Sequence, residues 1–263
     1  MKIWTLMENT AAREGLSSEH GLSLYIEAKG KRILFDAGQS GAFADNALKL
    51  GINLENVDFA VLSHGHYDHS GGLTRFLAIN SAAPVYVSDL AAGEYYNAKD
   101  RYIGIAQDLK DDPRLIPVEK TITLGEGIAL VSFRDRKPAV PVDSAGLQKK
   151  AGDILLPDDF FHEQYLVIEE NGKRVVFSGC SHRGILNIVR WLPCDVLIGG
   201  FHFMKKDPQS QEIREAAEQL LQERTVYYTC HCTGQEQYAS MKTIMGDRLH
   251  YLAAGNDLEV GEG

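Results

Sequence analysis

Apolar residues fall in short runs along this chain, and the spacing within and between the runs sets the expected elements. Residues 2–6 predict a short strand. Residues 22–27 and 32–35 flank Ala28-Lys29-Gly30-Lys31, which predicts a two-strand hairpin with a glycine at its turn. Helical spacing over 42–50 ends at Gly51. The run Val-Asp-Phe-Ala-Val-Leu at 57–62 is mostly apolar, as in a strand covered on both faces. A helix over 73–79, a strand over 84–88 and a helix over 90–98 are expected next.

The stretch from 99 to 159 is polar and rich in Asp, Lys and Pro, with strand-like pieces such as 128–133. It reads as an insertion, around 99–160, over the active-site face of a single domain spanning 1–263. After it the α/β rhythm returns. Strands over 165–168 and 174–177 flank the turn Asn171-Gly172, and a helix covers 184–191. Then come a strand at 195–198, a helix at 209–223, a strand at 225–229, a helix at 235–245 and a strand at 249–252. One consequence organises the reading: His64, the segment Cys180-Ser181-His182, His202 and His231 all stand just past predicted strand ends. Ligand sites of layered α/β folds assemble there.

Composition changes little. With 44% hydrophobic and 24% charged residues the chain has the make-up of a soluble globular protein. A formal net charge of -9 argues against a phosphate backbone as partner, so no nucleic acid is expected. Residues 1–6 lack the long apolar core of a secretory leader, and no stretch reaches the roughly 20 apolar residues of a membrane span. The four cysteines, Cys180, Cys194, Cys230 and Cys232, form no CxxC pair. Reduced thiols and a cytoplasmic location are therefore expected. Adjacent residues of an extended segment face opposite ways, so Cys230-His231-Cys232 is a poor private zinc knot.

The chemistry lies in His64-Gly65-His66-Tyr67-Asp68-His69, where three of the nine histidines and an aspartate crowd into six positions. Neutral imidazole and carboxylate are donors that zinc, iron and manganese accept. His64 and His66, two apart on an extended loop, can face one ion, while Asp68 and His69 serve a second. Gly65, Gly71 and Gly72 permit the tight backbone.

This loop, the apolar strand before it, Phe35-Asp36-Ala37-Gly38 upstream and the later strand-end histidines resemble the metallo-β-lactamase superfamily over nearly the whole chain. The segments Ser178-Gly179-Cys180-Ser181-His182, Gly199-Gly200-Phe201-His202 and His231-Cys232-Thr233-Gly234 look like a narrower subgroup. That subgroup includes the dihydropterin–ribofuranosylaminobenzene-phosphate synthases. The resemblance implies a four-layer αββα sandwich with a site for two divalent metal ions, zinc first, with iron or manganese compatible. It implies that His64, His66 and His182 hold one ion and that Asp68, His69 and His231 hold the other. Most members place a bridging aspartate where this chain has Cys180. Water alone could bridge, Cys180 could be a soft ligand, or one site could bind weakly.

The resemblance also implies catalysis by Asp68, His64 and His66 with their ions. The reaction is either hydrolysis of a phosphodiester, lactone, thioester or amide, or a synthase-like transfer on a pyrophosphate-bearing dihydropterin. A metal-binding sensor without activity is the alternative. The expected partner is a small, phosphorylated substrate, and oligomeric state is not legible. Asp36 is expected to orient a ligand histidine. His202 is assigned to substrate contact and His20 to the cleft wall, while His162 and His250 read as structural or exposed. Tyr95, Tyr96, Arg101, Tyr102, Lys149 and Lys150 are available to stack a ring and bind a phosphate.

Overall fold

The computed structural model describes residues 1–261. In chain order the first half supplies β1 (Lys2–Met7), β2 (Ser23–Ala28), β3 (Lys31–Phe35), α1 (Ala42–Lys49), β4 (Phe59–Val61), the single turn α2 (Tyr67–Ser70), α3 (Leu73–Ile79), β5 (Val85–Ser88), β6 (Tyr95–Tyr96) and β7 (Leu115–Val118). The second half supplies β8 (Ile122–Gly125), β9 (Ile128–Val131), β10 (Gln148–Ala151), β11 (Ile154–Pro157), β12 (Tyr165–Glu170), β13 (Lys173–Phe177), α4 (Ile185–Trp191), β14 (Val196–Ile198), α5 (Gln211–Leu220), β15 (Val226–Thr229), α6 (Gln235–Met245), β16 (Leu249–Tyr251) and β17 (Asp257–Glu259).

Two seven-stranded sheets result, ordered β17-β1-β2-β3-β4-β5-β7 and β16-β15-β14-β13-β12-β9-β8. Alternation along each strand explains the layering. Leu24, Ile26, Ile33 and Phe35 of the first sheet meet Leu166, Ile168, Val175 and Phe177 of the second in one buried cluster. Phe35 and Phe177 touch across the interface with ring centroids 5.7 Å apart. The alternate residues face outward: Tyr25 and Leu34 pack with Phe43 and Phe76 of α1 and α3. Val176 and Leu197 pack with Ile188, Ile213 and Met241 of α4, α5 and α6. Helices thus cover both outer faces, giving the αββα sandwich, and a strand covered on both sides needs the near-continuous apolar run seen at β4. Both predicted hairpins turn through paired positive φ, at Lys29 and Gly30 (53° and 71°) and at Asn171 and Gly172 (52° and 73°).

The helix expected over 90–98 does not form. Residues 89–93 make turns and β6 follows, because Tyr95 is drawn into a small buried cluster with Ile103, Leu147 and Phe160. Helical propensity loses to that packing. The stretch around 99–160 divides: β7 closes an edge of the first sheet, β8 and β9 close the second, and β10 and β11 join β6 in a separate three-stranded sheet. No helix among the described residues is long and apolar enough to cross a membrane.

Candidate metal centre

The parallel strands β3, β4 and β5 and, opposite, β13, β14 and β15 deliver their C-terminal loops to one edge of the sandwich. The histidine loop leaves β4, and its glycines matter for space rather than for φ. A Cβ on Gly65 would lie 2.3 Å from the carbonyl oxygen of Ala91, and one on Gly72 2.0 Å from that of Ala37. Backbone strain also gathers here: Asp36, Phe160, Ser181, His202 and His231 all hold positive φ, between 49° and 58°. Non-glycine residues keep such φ only where surroundings enforce it, commonly at functional sites.

Donor atoms of His64, His66 and His182 lie within 4.8 Å of one another, and all three side chains are buried. The Nε2 atoms of His64 and His182 are 3.2 Å apart. Beside them, Asp68 Oδ2 lies 3.3 Å from His231 Nε2 and 4.0 Å from His69 Nε2. The two triads that the resemblance implies therefore come together as neighbouring groups.

What the far side of each ring touches fixes which nitrogen faces inward. Asp36 Oδ2 accepts from His69 Nδ1 at 2.7 Å and from Ser63 Oγ at 2.8 Å. Having donated its proton, Ser63 Oγ can only accept from His64 Nδ1, at 2.8 Å. Asn9 Oδ1 accepts from His231 Nδ1 at 2.8 Å. His64, His69 and His231 thus present bare Nε2 lone pairs to the interior. At His231 that lone pair confronts a carboxylate oxygen without hydrogen-bond geometry, and its Nε2 is buried and unpartnered. Two acceptors facing at 3.3 Å repel unless a cation lies between them. Burial, reinforced by neighbouring histidines, keeps His64 and His182 well below the ordinary imidazole range, and burial pushes His231 down to about 4. Neutral imidazole is the form that binds metal. Donors about 2.1 Å from a tetrahedral ion lie roughly 3.4 Å apart, close to the separations here. The residues fit a two-ion centre.

In the segment entering β12 the sequence reading named only His162 and missed Asp158 and Glu163, because isolated polar residues on a loop carry no pattern. Its residues brace both ligand loops. Gly65 N–H donates to His162 Nδ1 at 2.9 Å, so His162 Nε2–H must donate to Asp158 Oδ2, at 3.1 Å. Both nitrogens being engaged, His162 is a buried brace rather than a donor to an ion, so of the two readings, structural or exposed, the structural one describes it. Asp158 Oδ2 also stands 3.8 Å from His66 Nε2. Burial alone would raise its carboxyl, but the hydrogen bond from His162 and the nearby His66 ring hold it well below the usual range. Glu163 accepts from the backbone N–H groups of His182 and Arg183, and Phe160 stacks on the His182 ring at 4.4 Å. His250 lies away from the centre, stacked on Tyr228.

A cavity of about 620 Å³ opens over the donors. His66, Asp68, Cys180 and His182 line its floor, Ile103, Val140, Leu147, Phe201 and Phe203 supply apolar walls, and Lys205 supplies a cation, while Lys206 is paired with Asp143 and Glu212. His20 stands at the cavity wall, its Nε2 3.3 Å from Asp68 Oδ2. His202 lines the same cavity with its ring 4.3 Å from that of His182. The residues marked for ring stacking and phosphate are engaged elsewhere. Tyr95 packs on His162, Tyr96 on Tyr102, Arg101 over Tyr67, while Lys149 pairs with Asp159 and Lys150 with Glu94. Asn97, Val140, Asp143 and Leu147 reach the cavity instead.

Comparison with known proteins agrees with this geometry. The metallo-β-lactamase superfamily profile matches residues 19–231. The 7,8-dihydropterin-6-methyl-4-(β-D-ribofuranosyl)-aminobenzene-5'-phosphate synthase of Methanocaldococcus jannaschii is 30% identical over 265 residues, covering 89% of this chain and 88% of its own. An uncharacterized protein of the same organism is 30% identical over 219 residues, covering 77% and 79%. The crystal structure of Tm1679, a metal-dependent hydrolase of the β-lactamase superfamily, superposes with TM-score 0.83 at 29% identity over 100% of both chains. Zinc-bound PqqB from Methylobacterium extorquens shares the fold at TM-score 0.60 and 13% identity, covering 99% of this chain and 100% of its own.

Proposed function

The chain belongs to the metallo-β-lactamase superfamily, and from that premise we propose that it is a two-metal enzyme acting on a small, phosphate- or pyrophosphate-bearing substrate, by hydrolysis or by synthase-like transfer. The observation that carries this reading is the set of bare, buried nitrogens of His64, His69 and His231, turned toward one another and toward Asp68 by Asp36, Ser63 and Asn9. In this reading His64, His66 and His182 hold one ion, and Asp68, His69 and His231 the other. Zinc suits the donors first, with iron and manganese compatible. Bound there, such ions would lower the pKa of water toward neutrality and neutralise the charge of a phosphate or a leaving pyrophosphate.

The chain's own residues do the rest. Asp68 keeps an ionised carboxylate at the cavity floor, bracketed by His20 and His231. Apolar walls at Ile103, Val140 and Phe203 exclude water and accept a ring, His202 contacts the substrate, and Lys205 offers a cation to its anionic group. A cavity of this size takes a small molecule whole, which favours a metabolite over a polymer. Both reaction types find support: the M. jannaschii relative is named a synthase, and Tm1679 a metal-dependent hydrolase. A metal-binding sensor without turnover is the competing reading, and a cytoplasmic setting is part of ours.

Elemental analysis of protein purified without added metal, paired with a chromogenic phosphodiester and then with dihydropterin pyrophosphate plus an arylamine, tests the proposal. Two ions per chain with turnover of either substrate supports it. Two ions without turnover of any phosphoester favours the sensor, and a metal-free protein that cannot be loaded overturns the centre. His66→Ala combined with Asp68→Ala is expected to lose ions and activity while keeping its far-ultraviolet circular dichroism; full metal content in that variant would refute the assignment.

A further inference from the structure

Cys180 follows the end of β13 and is buried at the floor of the cavity. Its Sγ lies 3.1 Å from His69 Nε2. It also lies within 4.8 Å of a donor nitrogen of His64, from the first triad, and of one of His231, from the second. Outside the two triads themselves, no other donor atom in the described residues is grouped with members of both.

The carboxylates around the centre are turned to other tasks. Asp36 faces His69 Nδ1 and Ser63, and Asp158 faces His162. Glu163 is consumed by backbone N–H groups and by Tyr165, and Asp68 reaches His20 and His231. The position between the two triads is therefore held by sulfur alone. We propose that Cys180 is a thiolate ligand shared between the two ion positions, and that it makes the centre selective for thiophilic ions over manganese and magnesium. This rests on the reading that the triads hold metal. Binding replaces the S–H bond by sulfur–metal bonds and releases the proton to solvent.

Cys232 supplies the internal control. Its Sγ donates to the carbonyl oxygen of Cys180 at 3.4 Å, and it is wedged against Gly200, where a Cβ would sit 2.3 Å from the sulfur. It is grouped with His231 but with no member of the first triad, and its hydrogen is turned to that carbonyl, so we assign Cys232 to positioning Cys180 rather than to joining the two ion positions. Soft thiolate selects zinc, cobalt and iron(II), whereas carboxylate and water suit manganese and magnesium.

The test loads the full-length, metal-stripped protein with cobalt(II) alone and records its absorption. Wild type is expected to show cobalt d–d bands together with an intense sulfur-to-cobalt charge-transfer band in the near ultraviolet. Cys180→Ser keeps the d–d bands and loses the charge-transfer band, and Cys232→Ser keeps both. Cys180→Asp, a second variant in case serine disturbs folding, binds cobalt without the sulfur band. It also shifts the zinc-to-manganese affinity ratio toward manganese by on the order of tenfold. A charge-transfer band that survives in Cys180→Ser or Cys180→Asp overturns the proposal, as does wild type carrying cobalt without it. Failure of wild type to show any cobalt band overturns the metal centre itself, an outcome distinct from loss of the sulfur band alone.

Discussion

Asp36 Oδ2 accepts the Nδ1 proton of His69 at 2.7 Å, and both side chains are fully buried. The same oxygen takes the hydroxyl proton of Ser63, which orients His64, so one carboxylate turns a nitrogen inward in each of the two proposed triads. Asp36 holds this place at a strained φ of 58°.

Asp36→Asn should therefore weaken both ions together. The amide nitrogen cannot accept from His69, and the ring is free to turn its protonated face inward. Removing a partner of this kind costs about 10- to 100-fold in metal affinity. Chelator competition followed by zinc titration measures it; affinity within threefold of wild type for both ions would show that Asp36 is merely structural.

Gly72→Ala should cost stability rather than chemistry. Its Cβ would stand 2.0 Å from the Ala37 carbonyl oxygen and 2.6 Å from that of Ser40, both backbone atoms that cannot swing away. Overpacking of this severity is expected to cost about 3 kcal/mol or more, which lowers Tm by roughly 6–12 °C in a domain of this size. Calorimetry of the metal-loaded variant decides it, and an unchanged Tm would mean that the loop relaxes freely.

Much of this was legible because two signals are strong in sequence. A strand covered on both faces must be almost wholly apolar, which marked β4, and donors needed at one point must follow strand ends, which marked His64, His182 and His231. What stayed hidden depends on distant partners. Asn9 meets His231 across 222 residues, and Gly65 meets His162 across 97. Nothing local distinguishes an asparagine or an aspartate that braces a ligand from one that faces water. The failed helix at 90–98 has the same origin, since Tyr95 packs against His162 and Phe160 rather than against its own turn.

Metal-free protein should lose stability as pH falls below about 6.5. Burial pushes the folded pKa of His231 and of His202 down to about 4, from an ordinary value of 6.5. The unfolded chain takes up protons first, so the stability is fully present above the unfolded pKa and is lost on the way down to the folded one. Each such histidine contributes a slope of about 1.4 kcal/mol per pH unit in that window. Thermal unfolding of the stripped protein across this range would show a falling Tm. Loaded protein should resist to lower pH, because bound ions compete with protons for the same nitrogens. Equal Tm values for the stripped protein at both ends of the window would contradict the neutral, buried state.

Asn9 ties the first strand's loop to the centre through both atoms of its amide. Oδ1 accepts from His231 Nδ1 at 2.8 Å, and Nδ2 lies 3.4 Å from His20 Nδ1. The geometry sets opposite tautomers in two tilted rings whose centroids lie 4.6 Å apart. His231 keeps a bare Nε2 for an ion, whereas His20 carries its proton on Nε2 and donates toward Asp68 Oδ2 at 3.3 Å. Asn9→Ala removes both instructions. It should weaken the ion held by Asp68, His69 and His231 by about tenfold and leave the ion of His64, His66 and His182 unaffected. Asn9→Asp preserves the acceptor for His231 but removes the donor to His20. It should therefore retain metal while changing how Asp68 is held. Stepwise zinc titration of the two variants separates these effects. Equal loss of both ions in Asn9→Ala would mean that the loop has collapsed, and full retention would mean that His231 finds its tautomer without help.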